Sequence, residues 1–298
     1  MIRINSDYVY KSNNCKNYLY FNSCRAANLT FLSAFGEGIW VIGKESFLSL
    51  KQKNIVKKFN INFLEVEDEK LYDIRFMSYL VEKNCNIKGI VFEIPQIYNG
   101  GLIYRTMITQ KIIDFYNSLK KKNIILYVDG ARLIVSAIIH PEINKFLSTM
   151  DCISISCDKG LKKWTKGTFT LFLNTDIFEK VKLQQKNIGT YLRNNKLTFK
   201  TIKVYLKFIK YKIIVNYMIT NGCRKIFLKK GFYVSELDTN ILIISHINQE
   251  VLWKINENLL KKKIILLRNE NCLVAYFNYT RSILYFIILY LKLLTIKY

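Results

Sequence analysis

Residues 123–138 read NIILYVDGARLIVSAI, and residues 151–164 read DCISISCDKGLKKW. In both stretches an apolar, β-branched run stops abruptly at charged residues, Asp129 in the first and Asp158-Lys159 in the second. Short apolar runs bounded in this way are typical of buried strands, and the end of a buried strand is a costly place for a lone carboxylate or ammonium. We therefore expect Asp129 and Lys159 to lie at strand ends and to bind a ligand between them.

The composition of the chain excludes several classes of protein. Its 298 residues are half hydrophobic, which excludes disorder and allows one large core or two unequal domains. Seven cysteines form no C-x-x-C pair, and with only two histidines no metal-ligand spacing appears, so we expect no metal. That pattern favours reduced thiols and a cytoplasmic protein, and the N-terminus lacks the apolar region of a signal peptide.

The net charge of +24 suggests a nucleic-acid partner at first sight. The lysines, however, are spread along the chain together with abundant Ile, Asn, Phe and Tyr, whose codons are A/T-rich, and no binding motif accompanies them. We therefore expect no nucleic-acid partner. The C-terminal segment SILYFIILYLKLLTIKY is interrupted at Lys292, and a spanning helix needs about 20 apolar residues, so we expect no membrane span.

Strand and helix patterns alternate along the chain. Apolar runs at IWVIG, INFLEV, KGIVFEI and IILYV predict strands, and helical spacing in AANLTFLSAF, LYDIRFMSYLVEK and TMITQKIIDFYNSLKKK predicts helices between them. This order predicts an α/β fold with a mostly parallel sheet covered by helices. Beyond a basic, helix-rich segment the pattern becomes α+β, so we divide the chain into a large domain, 1–185, and a bridging helix with a small domain, 186–298.

Asp129 and Lys159 have a joint chemical explanation. Ligands of parallel sheets bind at the carboxyl ends of the strands. A lysine there can form a Schiff base with the aldehyde of pyridoxal phosphate, and a carboxylate can keep the pyridine nitrogen protonated so that the ring accepts electrons. The alternative is that Asp129 caps the following helix and Lys159 is a solvated charge, and the residue spacing leaves both interpretations open.

Several motifs resemble, in order, those of the threonine aldolase and β-eliminating lyase family of fold-type-I pyridoxal phosphate enzymes. The resemblance is most specific between residues 90 and 175 and weaker at both ends. The motifs are EIPQIYNGG (93–101), LYVDGARL (126–133), ISISCDKGL (153–161), Asn5-Ser6-Asp7, the turn SCRAAN (23–28) and Asp238-Thr239-Asn240. The resemblance implies a fold-type-I large domain that binds pyridoxal phosphate, followed by a small C-terminal α+β domain.

The resemblance also implies roles for individual residues. Lys159 would carry the cofactor as a Schiff base, and Asp129 would hold the proton on its ring nitrogen. The other cofactor contacts would come from Arg132, Ser23, Cys24, Arg25, Phe47 and Ser156, and the substrate contacts from Ser6 and Arg132. The implied reaction is cleavage of the Cα–Cβ bond of a β-hydroxy amino acid to glycine and an aldehyde, by a homodimer or homotetramer.

The sequence departs from the family at positions that bear on activity. Phe47 stands where the family stacks a histidine on the cofactor ring, and phenylalanine can stack but cannot exchange a proton. No arginine lies in register with the family's carboxylate-binding arginine near the C-terminus. Two alternatives therefore stay open beside the aldolase: a relative that keeps the fold for binding without turnover, and a basic RNA- or membrane-associated protein.

Overall fold

The structure is a computed structural model. It describes residues 17–157, 167–190, 199–239, 241–250, 252, 266–269 and 272–276, with only the backbone described in 199–209, 266–269 and 273–276. The chain divides into two compact units, residues 1–98 with 103–207 and residues 99–102 with 208–298.

Helices and strands alternate along the chain. The α-helices are α1 (Cys24–Ser33), α2 (Lys53–Val56), α3 (Ile74–Lys83), α4 (Gln110–Lys121), α5 (Leu133–Ile139), α6 (Asn144–Leu147), α7 (Thr175–Ile188) and α8 (Phe199–Lys229). The strands are β1 (Tyr18–Phe21), β2 (Gly38–Gly43), β3 (Ile61–Val66), β4 (Ile87–Glu93), β5 (Ile125–Gly130), β6 (Cys152–Ser156), β7 (Thr168–Phe172), β8 (Tyr233–Val234), β9 (Ile241–Ser245), β10 (Leu266–Asn269) and β11 (Cys272–Tyr276). Short 3-10 turns cover Lys57–Phe59, Asp68–Tyr72, Arg105–Ile108 and Pro141–Ile143, and a π-helical turn covers Leu48–Gln52.

One seven-stranded sheet organises the first unit, with the strand order β1-β7-β6-β5-β4-β2-β3. The pairs β3–β2, β2–β4, β4–β5 and β5–β6 are parallel. Strand β7 runs antiparallel to both of its neighbours, β6 and β1. The predicted α/β fold with a mostly parallel sheet is therefore confirmed.

The central strands are buried on both faces, as their continuous apolar runs predict. Every residue of β6 and β7 is buried, and so is every residue of β5 after Ile125. Strands β1 and β7 are not predicted from the sequence. Strand β1 has only four residues, and TFTLF of β7 interrupts its apolar pattern with threonines, so neither forms a strong apolar run.

Helix α1 covers one face of the sheet through aromatic packing. The ring of Phe31 stacks on Tyr127 of β5 with 4.1 Å between centroids and meets the edge of Trp40 of β2 at 5.7 Å. Burying a large apolar side chain contributes about 1.5–3 kcal/mol. Gly89 of β4 makes this packing possible, because a methyl group there would lie 2.4 Å from the Trp40 ring and 2.5 Å from the carbonyl oxygen of Ile125. The helix is thereby fixed above β5.

A second aromatic group covers the opposite face. Phe92 of β4 meets the rings of Tyr116 and Phe146 edge-on, with centroids 5.1 and 5.2 Å apart. The Tyr116 hydroxyl donates a hydrogen bond to the carbonyl oxygen of Leu71. Helices α4 and α6 therefore pack on the face that α1 leaves open, which gives the first unit three layers.

The second unit contains a four-stranded antiparallel sheet with the order β10-β11-β9-β8. Gly101 belongs to this unit and has a φ of +78°. A methyl group there would lie 2.1 Å from Thr239 Oγ1, so the turn requires glycine. Across the described part of the chain, no helix has the length and apolar character needed to cross a bilayer.

Candidate active site

The carboxyl ends of β4, β5 and β6 meet at one edge of the sheet, and their register decides which side chains share a face. Glu93 pairs with Asp129, and Asp129 pairs with Ser154. Two residues further along β6, Ser156 pairs with Thr168 of β7. Register partners project to the same face of a sheet, and so do residues two apart in a strand. All five side chains therefore point to one face, the face that carries Tyr127 and is covered by α1.

Asp129 is buried at this edge and is held by an amide. Asn28 Nδ2 of α1 donates a hydrogen bond to Asp129 Oδ2 over 2.7 Å, and the Asn28 carbonyl accepts one from the Tyr127 hydroxyl over 2.6 Å. Asp129 is 3% exposed, and Asn28 and Tyr127 are fully buried. A hydrogen bond donated to a buried carboxylate stabilises its charged form. The arrangement can thus present one negative charge at the end of β5.

Glu93 is a second buried carboxyl group beside Asp129. The backbone N–H groups of Phe47 and Ile97 both donate to its carboxylate. Burial, together with the negative charge of Asp129, raises the pKa of Glu93 to about 8. Below that pH the Glu93 side chain is mostly neutral, because burial and the charge of Asp129 outweigh its two N–H donors. The single negative charge of the pair then lies on Asp129.

The pKa of Glu93 predicts how its replacement changes stability. Between pH 4.5, the ordinary value, and about 8 the folded protein retains a proton that the unfolded chain has released. The free energy of unfolding therefore falls as the pH rises through this range, by up to about 1.4 kcal/mol per pH unit. Glu93→Gln should remove this contribution to the slope, measured as denaturant-induced unfolding at several pH values from 6 to 8, above the range in which the buried Asp68 titrates.

Glu65 provides the matched control for this experiment. Hydrogen bonds from Ser49 and Lys53 lower the pKa of Glu65. The contribution of Glu65 to the free energy of unfolding therefore changes with pH only at and below the ordinary pKa of a glutamate. Glu65→Gln should leave the slope between pH 6 and 8 as it is in the wild type. An unchanged slope in Glu93→Gln would contradict the assigned protonation of Glu93.

A third buried acid fixes the loop that carries Phe47. Asp68 accepts hydrogen bonds from the backbone N–H of Glu45 over 3.1 Å and from the side chain of Gln96 over 2.7 Å. Burial raises its pKa to about 6. Gly43 is needed here, because a methyl group would lie 1.7 Å from Asp68 Oδ1. Asp68 and Glu93 together hold the backbone of this loop at Glu45 and at Phe47.

The half-buried Phe47 is close to the first turn of α1. The Arg25 guanidinium lies over the Phe47 ring, 5.1 Å from its centroid. The same turn is tied back by Gln52, whose Nε2 donates to the Arg25 carbonyl oxygen over 3.2 Å. The loop that follows β2 and the N-terminus of α1 therefore meet at the edge where β5 ends.

The N-terminus of α1 lies at the carboxyl end of β6. Ser23 is the N-cap, and its hydroxyl accepts from the Ala26 N–H over 3.2 Å. Thr168, the register partner of Ser156, donates to Cys24 Sγ over 3.3 Å. The first N–H groups of a helix have no partner within the helix and attract anions. With the hydroxyl of buried Ser156 nearby, this corner has the chemistry of a phosphate site.

Comparisons with known proteins are informative for the fold. No family model matches the sequence, and no curated protein does. Among solved structures, a threonine aldolase from Leishmania major aligns over 93% of this chain and 84% of its own, with a TM-score of 0.71 and 13% identity. The chain has the fold of the threonine aldolases. A candidate L-allo-threonine aldolase from Listeria monocytogenes aligns over 97% of this chain and 83% of its own, with a TM-score of 0.73 and 15% identity.

The threonine aldolase fold belongs to a wider structural group. Serine palmitoyltransferase from S. paucimobilis, solved with a bound pyridoxal phosphate–myriocin aldimine, aligns over 97% of this chain and 74% of its own, with a TM-score of 0.67 and 12% identity. At such identities the likeness is one of fold. The fold-type-I architecture that the motifs imply is confirmed.

Most of the predicted site residues come together in this threonine aldolase fold. Asp129 and Ser156 share one face of the sheet, and Ser23, Cys24, Arg25 and Phe47 lie around the start of α1. Arg132 follows β5 and is the N-cap residue of α5, half-buried. Lys159 and Ser6 lie outside the described residues; Lys159 comes two residues after Cys157, whose N–H donates to the Gly167 carbonyl oxygen over 2.9 Å.

Two residues of this site are not predicted from the sequence. Glu93 ends the buried run IVFE, which is the same sequence signal that identifies Asp129. Asn28 is an amide among the buried residues of α1, next to Ala27 and two residues before Thr30. A polar residue on the buried face of a helix is a sequence signal for an internal hydrogen bond. Within the described ranges, no group of His, Cys, Asp and Glu could hold a metal ion.

Proposed function

We propose that the protein is a pyridoxal phosphate enzyme that acts on a small amino acid. The observation that carries this proposal is the buried carboxylate of Asp129, held by Asn28 over 2.7 Å at the carboxyl end of a central parallel strand. The next strand in the sheet, β6, leads into the chain segment that contains Lys159. The likeness to threonine aldolases and the ordered motifs support the same assignment.

The chemistry of the residues present fits the cofactor. Pyridoxal phosphate needs an anion partner for its ring nitrogen, an anion-binding corner for its phosphate and a lysine for its aldehyde. Asp129 supplies the first, and the N-terminus of α1 with Ser23, Cys24 and Ser156 supplies the second. Lys159 would supply the third.

We propose that these residues support Cα–Cβ cleavage of a β-hydroxy amino acid, with release of glycine and an aldehyde. The bound cofactor supplies the electron sink for this cleavage. Asp129 would hold a proton at the ring nitrogen, Phe47 would pack against the ring and Arg25 would neutralise phosphate charge. Arg132, and Ser6 from the N-terminal segment, would bind the substrate carboxylate.

A second candidate is a protein that binds the cofactor and turns over slowly or not at all. Phe47 favours it, because the phenyl ring can stack on the cofactor but cannot take a proton from the substrate hydroxyl. The two candidates share the cofactor site and differ in the rate of cleavage.

Restoring a base at position 47 tests the proposed reaction. We expect the wild type to release glycine from threonine slowly and Phe47→His to release it up to about 10²-fold faster, because a general base is then present. Phe63→His is the matched control, since Phe63 is another partly buried phenylalanine that packs against the core. No glycine release above background from any of the three proteins, each with cofactor bound, would refute the aldolase and favour the second candidate.

The proposed assembly is a homodimer or homotetramer, as the family resemblance implies, with the cytoplasm as its compartment. Among the described cysteines, Cys85, Cys152 and Cys223 are free thiols, which supports a reducing compartment. The proposal includes no metal and no nucleic-acid partner.

A further inference from the structure

A continuous line of buried polar groups runs across three strands to Asp129. Thr170 Oγ1 and Ser154 Oγ are 2.9 Å apart, and Ser154 Oγ is 2.7 Å from the Tyr127 hydroxyl. The Tyr127 hydroxyl is 2.6 Å from Asn28 Oδ1, and Asn28 Nδ2 is 2.7 Å from Asp129 Oδ2. Each of these five residues is at most 3% exposed. A line of hydrogen bonds in an apolar core is costly unless every member is satisfied, and such bonds polarise one another.

The hydrogen count fixes the direction of this line. Asp129 accepts, so the Asn28 NH₂ group must face it, and the Asn28 carbonyl must then accept from Tyr127. Tyr127 has one hydroxyl hydrogen, which goes to Asn28, so Ser154 donates to Tyr127 and Thr170 donates to Ser154. Every donor therefore points towards Asp129.

A second contact makes the Asn28 orientation unique. Gln52 donates through Nε2 to the Arg25 carbonyl oxygen over 3.2 Å, which turns its Oε1 towards Asn28 Nδ2, also at 3.2 Å. A flipped Asn28 amide would place oxygen against Gln52 Oε1 and against Asp129 Oδ2. Tyr127 and Gln52 thus hold the same amide orientation from two sides.

We propose that Asn28, aligned by Tyr127, is the positioning residue that keeps the charge on Asp129 and the proton on the cofactor ring nitrogen. The inference rests on the proposed function, because it assigns Asp129 to that nitrogen. A carboxylate that accepts a strong hydrogen bond competes less well for a shared proton. Without the Asn28 donor, Asp129 would hold the shared proton more strongly, and the ring nitrogen would be protonated in a smaller fraction of the molecules.

The test is the ¹⁵N signal of pyridoxal phosphate labelled at its ring nitrogen, recorded by solid-state NMR on the full chain. The wild type should show a protonated nitrogen. Asn28→Leu, which keeps the volume and removes the amide, should shift the signal towards that of an unprotonated nitrogen and weaken cofactor binding about 10- to 100-fold, as loss of a hydrogen bond to a charged group does. Tyr127→Phe should shift the signal in the same direction by less, because Gln52 still aligns Asn28.

Thr30→Val is the matched control. Thr30 is also fully buried on α1, but its hydroxyl meets the Ala26 carbonyl oxygen and Thr190, outside the line to Asp129. The ¹⁵N signal of the cofactor bound to Thr30→Val should equal that of the wild type. A wild-type signal in both Asn28→Leu and Tyr127→Phe would overturn the role of Asn28 and leave the proposed function intact. A wild type that binds no cofactor would overturn both. Should Asn28→Leu fail to fold, Tyr127→Phe, which loses only one oxygen atom, decides the outcome.

Discussion

Replacing Asp129 with asparagine should lower the rate of amino-acid cleavage by a factor of hundreds while the cofactor stays bound. An amide cannot keep a proton on the pyridine nitrogen, so the ring loses its capacity to accept electrons. Loss of one electrostatic stabiliser of this kind typically costs about 3–4 kcal/mol. The Asn28 NH₂ group can still donate to the carbonyl oxygen of the new asparagine, so the fold should tolerate the change. Glycine release and cofactor absorbance, measured on the same samples, check both parts.

Asp151→Asn is the matched control for Asp129→Asn. Asp151 is also a buried acid next to a central strand, but it lies at the start of β6, at the other edge of the sheet. It accepts from the Leu126 N–H over 2.9 Å and pairs with Lys120 at 2.9 Å. Its replacement should lower stability and leave turnover per folded molecule unchanged. Equal loss of turnover in the two variants would show that Asp129 acts through folding alone.

Lys159→Ala should abolish covalent attachment of the cofactor and lower turnover by at least about 10²–10⁴-fold. The ε-amino group is the proposed nucleophile towards the aldehyde, and the same amine can move the substrate proton; loss of proton transfer alone costs that factor. Absorbance after gel filtration in cofactor-free buffer measures retention, and glycine release measures turnover. Lys162→Ala, in the same segment, should behave as the wild type in both assays. Retention by Lys159→Ala equal to the wild type would contradict the assignment.

The parallel sheet and the position of Asp129 are predictable from the sequence, because continuous apolar runs indicate strands buried on both faces. Strand β7 is the counterexample. Thr168 and Thr170 are polar residues, yet both are buried, with hydrogen bonds to Cys24 and Ser154 respectively. Their burial therefore depends on partners in other elements of the fold. A periodicity rule cannot detect partners 16 or 144 residues away.

The site shows the same division between local and long-range information. Ser23 is recognisable as an N-cap because the capping bond to Ala26 is local. The partnership of Asn28 with Asp129 joins residues 101 apart and depends on α1 lying over β5. The neutral state of Glu93 depends on burial and on Asp129 in the neighbouring strand. Sequence motifs therefore indicate candidate residues, and the register of the sheet determines which side chains are buried beside one another.

The central claim, that this chain is a pyridoxal phosphate protein with Lys159 as its anchor, is tested most directly by reduction and peptide mapping. The full-length protein is incubated with pyridoxal phosphate, treated with borohydride, digested and analysed by mass spectrometry. The account predicts the reduced cofactor on Lys159, in the peptide that follows Cys157, at about one per chain. A label on another lysine, or no label at all, would contradict it.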